Sequence, residues 1–419
     1  MSNGKSFKCL HAVVPMPIFI LLLFTIIFIY NHSWIQTYLV NSSSLSSLSS
    51  FSSASSLSSN TGLKNKLECD ISKGEWIGDE AAPYYTNNTC WMIQEHQNCM
   101  KNGRPDMDFL KWRWKPDDCE LLRFAPEKFL EIFRGKSLAF VGDSLTRNQM
   151  QSLMCLLSKV EYPKDVSNSS DENFRRMYYK TYNFTVSIFW SPYLVKAEEP
   201  KSEGSMIDRM WKLYLDEVDE NWASKIDEFD YVIVSDGTWF TRPLLFYEQK
   251  SITKCQYCEI ESVELVTLNY FHRMAFRTAL QAINKLDKYK GVTIVRTISP
   301  PHFENGEWDN GGDCVRTRPF GRNETELLEG YAEMYRNQVE ELERARMEGV
   351  KRGLEFRLLD MTGAMLLRPD GHPSRYMSEG ANGGSQSKRR DCVHWCLPGP
   401  VDVWNDMLFH MLHKAANLM

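Results

Sequence analysis

Short apolar runs alternate with longer amphipathic stretches along the middle and C-terminal parts of the chain. The runs are rich in β-branched and aromatic residues and cover residues 137–141, 230–234, 292–298 and 355–359. Helical periodicity is expected over 145–157, 270–289 and 324–350, the last with a capping pair formed by Asn323 and Glu326. This alternation predicts an α/β fold with a mainly parallel sheet covered on both faces. Residues 183–189 alternate polar and apolar positions and predict an extra edge strand.

Polar residues cluster directly after these runs. Gly142-Asp143-Ser144 follows the first, Ser235-Asp236-Gly237 the second, His302 the third and Asp360 the fourth. Ligands of parallel sheets bind beyond the carboxyl ends of the strands. Ser144 would begin a helix there, and a helix N-terminus favours developing negative charge. The pattern predicts Ser144 as a nucleophile, whereas a lone Gly-Asp-Ser turn more often has its serine as a simple helix cap.

A serine nucleophile needs a base and a group that orients the base. Asp391 precedes His394 by three residues, so both share one face of a turn, and cysteines flank the histidine. The carboxylate can therefore hold the proton on Nδ1 while Nε2 faces outward. His96, His272 and His372 have no carboxylate at useful spacing and are expected to be ordinary surface or core groups.

The N-terminal part of the chain indicates a membrane anchor. Residues 12–30 are apolar and uncharged, about the length that spans a bilayer. Lys5 and Lys8 precede them and no Lys or Arg follows before Lys64, which favours a cytosolic N-terminus. The length of the apolar run and the lack of a small-x-small cleavage site after it favour an anchor over a cleaved signal peptide. The predicted organisation is a cytosolic tail (1–11), a transmembrane signal anchor (12–30), a Ser-rich lumenal stem (31–66), a Cys- and Trp-rich segment (67–135) and a catalytic domain (136–419).

Cysteines, sequons and charge agree with a lumenal domain. Of eleven cysteines, all but Cys9 follow the apolar segment, which favours disulfides. The zinc-like spacing of Cys255 and Cys258 has no second pair, so no metal is expected. The net charge of −5 gives no basic field for nucleic acid. N-glycosylation sequons occur at Asn31, Asn41, Asn87, Asn168, Asn183 and Asn323.

The segment 69–126 is rich in aromatic residues, namely Trp76, Tyr84, Tyr85, Trp91, Trp112 and Trp114. Aromatic faces can stack on sugar rings, which would make this segment a carbohydrate cleft. The alternative is that these rings pack beneath disulfide-tied loops. The sequence alone leaves both interpretations open.

Two motifs resemble those of the plant trichome-birefringence-like family, Golgi polysaccharide O-acetyltransferases related to the GDSL/SGNH esterases. They are Gly142-Asp143-Ser144 and the segment 391–405, and the segments 102–106, 147–149 and 311–314 extend the match. The segments 112–116, 255–258 and 366–373 look most like the xyloglucan O-acetyltransferase branch. Thr238 and Leu122 depart from the family, where many members have His and Pro. The resemblance implies an SGNH-hydrolase-like three-layer fold with a disulfide-tied N-terminal lobe.

The resemblance also implies roles for individual residues. Ser144 would be the nucleophile, His394 the base and Asp391 its orienter. The Ser144 backbone N–H and Gly237 would bind the oxyanion, and the substrate-binding set would comprise Arg147, Asn148, Arg296, His302 and Trp395. The implied disulfides are Cys69–Cys119, Cys90–Cys155, Cys99–Cys396 and Cys314–Cys392, with Cys255–Cys258 as an additional pair.

The implied reaction is acetyl transfer to a cell-wall polysaccharide by a double displacement. The resemblance to the xyloglucan branch implies that the acceptors are galactose hydroxyls of xyloglucan side chains. No bound cofactor is expected; acetyl-CoA or an acetylated intermediate from a Golgi membrane protein would be the co-substrate. The expected location is the Golgi membrane, with a single-pass type II topology. Three alternatives stay open: acetylation of xylan, mannan or pectin; an acetyl esterase with the same triad; and a polysaccharide-binding protein with an unused triad.

Overall fold

The computed structural model describes residues 69–261, 263–377 and 390–416. The predicted cytosolic tail, membrane anchor and stem lie outside the described residues, and so do Asn31 and Asn41. Within these ranges, no helix combines the length and the apolar character needed to cross a bilayer.

The described part of the chain alternates strands and helices after an N-terminal segment with little regular structure. Its strands are β1 (Gly74–Gly78), β2 (Trp112–Pro116), β3 (Ser137–Gly142), β4 (Lys164–Asp165), β5 (Arg176–Tyr179), β6 (Phe184–Trp190), β7 (Val195–Glu198), β8 (Trp211–Val218), β9 (Tyr231–Ser235), β10 (Leu244–Glu248), β11 (Ser251–Gln256), β12 (Glu264–Leu265), β13 (Val292–Arg296) and β14 (Glu355–Leu359). Its α-helices are α1 (Pro126–Ile132), α2 (Ser144–Leu157), α3 (Glu220–Ala223), α4 (Leu268–Lys285), α5 (Glu329–Gly349), α6 (Thr362–Leu366) and α7 (Asp402–Ala416).

The main sheet has seven strands in the order β14-β13-β9-β3-β6-β5-β4. Its first five strands are parallel. β5 pairs with β6 in antiparallel orientation, and β4 pairs antiparallel with β5 and so runs in the direction of the first five. All four predicted strands belong to it, and β3 lies between β9 and β6. The predicted mainly parallel central sheet is thus confirmed.

Alternate residues of β3 separate the two helical layers. Leu138 and Phe140 face a core that also contains residues of α2 and α7. Ala139 and Val141 face the opposite core, which α4 and α5 cover. Successive strand residues point to opposite faces of a sheet, so a strand buried on both sides is apolar at every position. The structure is therefore the expected three-layer arrangement of helices, sheet and helices.

Two local predictions were wrong. The run at 183–189 is not an edge strand, because β6 pairs with β3 on one side and with β5 on the other. The long helix does not begin at a cap formed by Asn323 and Glu326, because α5 starts only at Glu329. The carboxylate of Glu324 instead accepts hydrogen bonds from the Gly321 N–H, at 2.8 Å, and from Arg318. These bonds close a local turn before the helix.

A second sheet, which the sequence did not predict, lies beside the main one. Its order is β12-β11-β10-β8-β7, and its apolar side shares a core with Phe271 of α4 and Met334 of α5. The chain enters this second sheet directly after β6 and again after β9. The second sheet therefore lies next to the carboxyl edge of the main sheet.

The aromatic residues of the N-terminal segment mostly pack inside the protein. Trp76 and Trp114 meet edge to face at 5.7 Å between ring centroids, and their indole N–H groups donate to the backbone oxygens of Ala364 and Ile71. Tyr85 is buried, whereas Trp91 remains 69% exposed. The packing interpretation of this segment therefore holds for most of these rings. Trp76, Tyr84, Trp112 and Trp114 also line a small pocket, and its use as a carbohydrate cleft stays a prediction.

Two disulfides, Cys90–Cys155 and Cys99–Cys396, tie this segment to the rest of the domain, and Cys69–Cys119 lies within it. The cysteine pairs are Cys69–Cys119, Cys90–Cys155, Cys99–Cys396, Cys255–Cys258 and Cys314–Cys392. They are the pairs that the resemblance implied. The bridge between Cys99 and Cys396 joins residues 297 positions apart and ends two residues after His394.

Candidate active site

The junction between β3 and α2 brings Ser144 to the carboxyl edge of the main sheet. Gly142 ends β3 with φ +147°, and a Cβ built on it would lie 1.7 Å from the backbone oxygen of Ser235 in β9. Only glycine lets the chain leave the strand so close to its neighbour. The tight exit places Ser144 in the first turn of α2.

Asp143, rather than Ser144, caps this helix. One oxygen of its carboxylate accepts the N–H groups of Leu145 and Thr146, at 2.9 and 3.4 Å. The other accepts the hydroxyl of Thr238 at 2.8 Å. The Ser144 hydroxyl therefore does not cap the helix. The backbone N–H of Ser144 lies in the first turn, where backbone donors have no acceptor within the helix.

Ser144, His394 and Asp391 form one hydrogen-bonded chain. His394 Nε2 lies 2.7 Å from Ser144 Oγ, and His394 Nδ1 lies 2.8 Å from Asp391 Oδ2. The second oxygen of Asp391 accepts the backbone N–H groups of Val393 and His394, which fixes the carboxylate within its own turn. The outward-facing Nε2 expected from the Asp391/His394 spacing thus points at the serine hydroxyl.

The electrostatics of this chain favour a charged carboxylate and a basic imidazole. Burial alone would raise the pKa of Asp391, but the adjacent His394 and the backbone donors hold it below its usual range. Burial would likewise lower the pKa of His394, but the Asp391 charge and its hydrogen bond outweigh this effect and raise it. Asp391 therefore stays ionised and increases the proton affinity of His394.

Two disulfides and two hydrogen bonds hold the loop that carries His394, hereafter the histidine loop. Disulfides at Cys392 and Cys396 anchor it on both sides of His394. Asn148 Oδ1 accepts the Trp395 N–H at 2.9 Å, which ties the loop to α2. His372 lies 2.7 Å from the His394 carbonyl through Nδ1.

Three residues expected to contact substrate are buried supports instead. Asn148 is 0% exposed and holds the histidine loop. Trp395 is also 0% exposed, stacks on His372 at 4.1 Å and donates to Ser299. Both ring nitrogens of His302 are occupied, by His372 and by the Leu366 carbonyl. These side chains position the loop from beneath and do not line its accessible surface.

Arg296 and Gly237 also differ from expectation. Arg296 is 1% exposed and lies over the Trp404 ring at 4.1 Å, with one weak contact to the Thr146 hydroxyl at 3.5 Å. The N–H of Gly237 donates to its neighbour Asp236 at 2.6 Å, so it does not point at an oxyanion. Burial and the nearby Asp143 raise the pKa of Asp236 well above its usual value.

Two histidines dismissed on sequence grounds lie at the site. His372 supports the His394 carbonyl, as described. His96 lies edge to face with His394, with ring centroids 5.6 Å apart, and reaches there because Leu397 N–H donates to the Gln97 carbonyl. Burial, with the nearby His394 and Arg147, lowers the pKa of His96 to about 4. Local spacing carries no signal for such a long-range contact.

Arg147 is the predicted substrate-binding residue that stays accessible. It lies one turn after Ser144, is half-buried, and donates to Asn173 Oδ1 at 3.2 Å. Burial lowers its pKa, and among the described residues no carboxylate lies within ion-pair distance of it. The described ranges also contain no cluster of His, Cys, Asp and Glu that could hold a metal ion.

Comparison with known families accounts for this architecture. A model described as "GDSL/SGNH-like Acyl-Esterase family found in Pmr5 and Cas1p" matches residues 121–411. The chain belongs to this GDSL/SGNH-like acyl-esterase family. A second model, the PMR5 N terminal domain, matches residues 67–120 and thus the disulfide-tied segment.

Several curated plant proteins are similar to this chain over most of their length. The chain is 52% identical to protein trichome birefringence-like 19 of Arabidopsis thaliana, covering 83% of this chain and 81% of that protein. It is 45% identical to xyloglucan O-acetyltransferase 4 of Populus trichocarpa, covering 84% and 82%. It is 40% identical to xyloglucan O-acetyltransferase 2 of Arabidopsis thaliana, covering 83% of each chain.

Proposed function

We propose that the protein is a polysaccharide O-acetyltransferase whose nucleophile is Ser144 and whose acceptor is xyloglucan. The observation that carries the proposal is the hydrogen-bonded chain from Ser144 through His394 to Asp391 at the carboxyl edge of the sheet. Relatives named xyloglucan O-acetyltransferases, at 40–45% identity, favour this acceptor.

In the first step, Ser144 Oγ attacks the carbonyl carbon of the donor acetyl group and gives its proton to His394 Nε2. Asp391 stabilises the imidazolium that forms. The negative oxygen of the tetrahedral intermediate lies at the N-terminus of α2, where the Ser144 N–H is free to donate. The intermediate collapses as the donor's leaving group departs with the proton from His394, and an acetyl-serine remains.

In the second step, a sugar hydroxyl attacks the acetyl-serine. His394 Nε2, neutral again, takes the hydroxyl proton as the new carbon–oxygen bond forms. The bond to Ser144 then breaks, and His394 returns the proton to Oγ. The acetyl group leaves on the sugar and the enzyme is restored, so no resident cofactor takes part in either step.

We further propose that the domain works in the Golgi lumen as a single-pass type II membrane protein, with residues 12–30 as anchor. The apolar, uncharged composition of that stretch and the basic residues before it support this topology. The five disulfides favour an oxidising compartment. The acetyl donor is acetyl-CoA or an acetylated intermediate delivered by a Golgi membrane protein. The sequons at Asn87, Asn168, Asn183 and Asn323 are proposed glycan sites.

The decisive experiment incubates the purified lumenal domain with an acetyl donor and oligosaccharides of xyloglucan, xylan and mannan side by side. We expect xyloglucan oligosaccharides to gain the mass of acetyl groups. Ser144→Ala should lower the rate by about 10⁴-fold or more, because the nucleophile is lost. Ser158→Ala, at the end of the same helix, is the matched control, since its hydroxyl bonds only the Cys155 carbonyl.

Other outcomes would point elsewhere. Loss of acetyl groups from acetylated oligosaccharides, without gain on bare ones, would make the protein an esterase. Equal modification by Ser144→Ala and by the wild type would refute the nucleophile. Preferred acetylation of xylan or mannan would replace the acceptor and leave the mechanism intact.

A further inference from the structure

A row of side chains with two tryptophans between two arginines begins beside Ser144. The guanidinium of Arg147 lies 5.2 Å from the Trp190 ring centroid, and the Trp190 and Trp239 rings meet at 5.5 Å. The guanidinium of Arg242 then covers the face of Trp239 at 3.8 Å. These four side chains, Arg147, Trp190, Trp239 and Arg242, are hereafter the Arg–Trp ladder.

The sheet register explains why the ladder crosses the active-site edge. Gly142 at the end of β3 pairs with Trp190 of β6 on one side and with Ser235 of β9 on the other. Trp239 follows β9 in the short turn Thr238–Thr241. One indole therefore comes from a strand that flanks the serine junction and the other from the turn after the second flanking strand, and the two meet beyond the junction. Trp211 of β8 lies next to the ladder, with its ring 5.8 Å from that of Trp239.

The arginines of the ladder differ from most of the other stacked arginines in their charge balance. Among the described residues, Arg296 and Arg375 also stack on rings without an ion pair, but Arg296 is 1% exposed and Arg375 donates to the Tyr376 hydroxyl. Six arginines elsewhere stack on aromatic rings and also form ion pairs, namely Arg104, Arg123, Arg134, Arg176, Arg316 and Arg368. Within the described ranges, neither Arg147 nor Arg242 has a carboxylate within ion-pair distance. All four ladder side chains are half-buried, so each keeps an accessible part. Apart from the hydrogen bond from Arg147 to Asn173 Oδ1, no bond within the described residues uses their guanidinium or indole N–H groups, so these groups can donate to a ligand.

We propose that the Arg–Trp ladder is a subsite for the acceptor carbohydrate chain, extending from Ser144 towards the second sheet. Indole surfaces match the apolar faces of sugar rings, and N–H donors match the hydroxyls at their edges. Because the ladder contains two indoles, it contacts more than the one sugar unit that is acetylated. The proposal rests on the proposed function, whose acceptor is a polysaccharide.

The alternative occupant is an anionic acetyl donor, held by the two positive charges. The indoles argue against it, because charge alone would not require aromatic rings between the arginines. A carbohydrate chain would contact both the indole rings and the guanidinium groups of the ladder. Acceptor length is therefore the variable that tests the subsite.

Arg242→Ala, at the far end of the ladder from Ser144, is the test variant. We expect the wild type to have a lower KM for long xyloglucan oligosaccharides than for short ones. The variant should raise the KM for long oligosaccharides by about tenfold, because the hydrogen bonds from the Arg242 guanidinium to the sugar hydroxyls are lost, and so reduce the length preference. Arg316→Ala is the matched control, because Arg316 stacks on Phe320 at 4.6 Å but pairs with Glu304. Unfolding midpoints verify that both variants fold.

Direct binding separates this proposal from the catalytic one. In a Ser144→Ala background, calorimetry with the long oligosaccharide should show about tenfold weaker binding when Arg242→Ala is added. That result would support the subsite even if the wild type proved to be an esterase. An unchanged Kd and an unchanged length preference would overturn the proposal, as would a raised KM for the acetyl donor alone.

Discussion

At the scale of single residues, Asp391 sets the working state of the site. Its carboxylate holds Nδ1 of His394, so Nε2 is the nitrogen that faces Ser144. The same charge raises the pKa of His394 above the ordinary histidine value of 6.5, against the effect of burial. The Asp391 carboxylate thus determines both the orientation and the basicity of the imidazole.

This arrangement predicts the direction of the pH dependence of catalysis. His394 must be neutral to accept a proton, so the rate should fall as the pH falls through its raised pKa. Asp391→Asn removes the charge, and burial then lowers that pKa. We expect the acidic limb of the pH–rate profile to move to lower pH, while the maximal rate drops by about 10⁴-fold because the imidazole loses its orientation. An acidic limb that stays in place would contradict the assignment.

The sequence predicted the pairing of Asp391 and His394 because that contact is local. Residues three apart on a turn meet whatever the rest of the chain does. His96 and His372 were misjudged because their contacts with the histidine loop join distant parts of the chain. His302 and Trp395 were expected to bind substrate, yet their burial depends on the packing of residues 366–372, which spacing does not reveal.

At the scale of secondary-structure elements, the strand exits determine the site. The four apolar runs were enough to predict β3, β9, β13 and β14 as strands of one parallel sheet. The same patterns misplaced β6, because its alternating polar residues suggest a half-exposed strand. In the structure Ser187 of β6 is 2% exposed, so tertiary pairing outweighed the pattern.

Gly142, at the end of β3, is the position where we expect a substitution to be tolerated least. Gly142→Ala would combine a positive φ with a Cβ 1.7 Å from the Ser235 oxygen, so β3 and β9 must separate at the site. We expect a loss of more than about 3 kcal/mol in unfolding free energy, measured by urea unfolding, together with loss of activity. Gly78→Ala in β1 is the control, because a Cβ there meets nothing within 4 Å. Equal stability of the two variants would show that β3 and β9 can adjust.

At the scale of the whole molecule, α7 joins the N-terminal segment to the catalytic layers through buried acids. Asp406 Oδ1 accepts the Tyr84 hydroxyl at 2.6 Å and the Phe124 N–H at 2.9 Å. Asp402 accepts the Tyr85 hydroxyl at 2.8 Å and the Ser152 hydroxyl at 2.5 Å. Burial raises the pKa of Asp402 to about 6 and that of Asp406 to about 7, because hydrogen bonds only partly offset desolvation.

These raised pKa values make global stability depend on pH. Each acid binds its proton more tightly in the folded protein than in the unfolded chain, where its pKa is near 3.8. Their stabilising contribution is therefore complete below about pH 4 and is lost as the pH rises through about 6 and 7. The urea concentration at the unfolding midpoint should thus decrease from about pH 5 to about pH 8. A protein whose stability depends on ionised surface carboxylates would not show this decrease.

Asp406→Asn tests this origin with little change of shape. Both donors to Asp406 use Oδ1, which asparagine keeps, so the amide mimics the protonated acid. The variant should match the wild type near pH 4 and be more stable near pH 8, because at pH 8 only the wild type carries a charged carboxyl group in a buried position. The gain should reach about 1 kcal/mol or more, since a tenfold difference in proton affinity between the folded and unfolded states corresponds to about 1.4 kcal/mol. Asp118→Asn, at an exposed position, should leave the difference between the two pH values unchanged. If Asp406→Asn also left it unchanged, the acids of α7 would not make the stability of the molecule depend on pH.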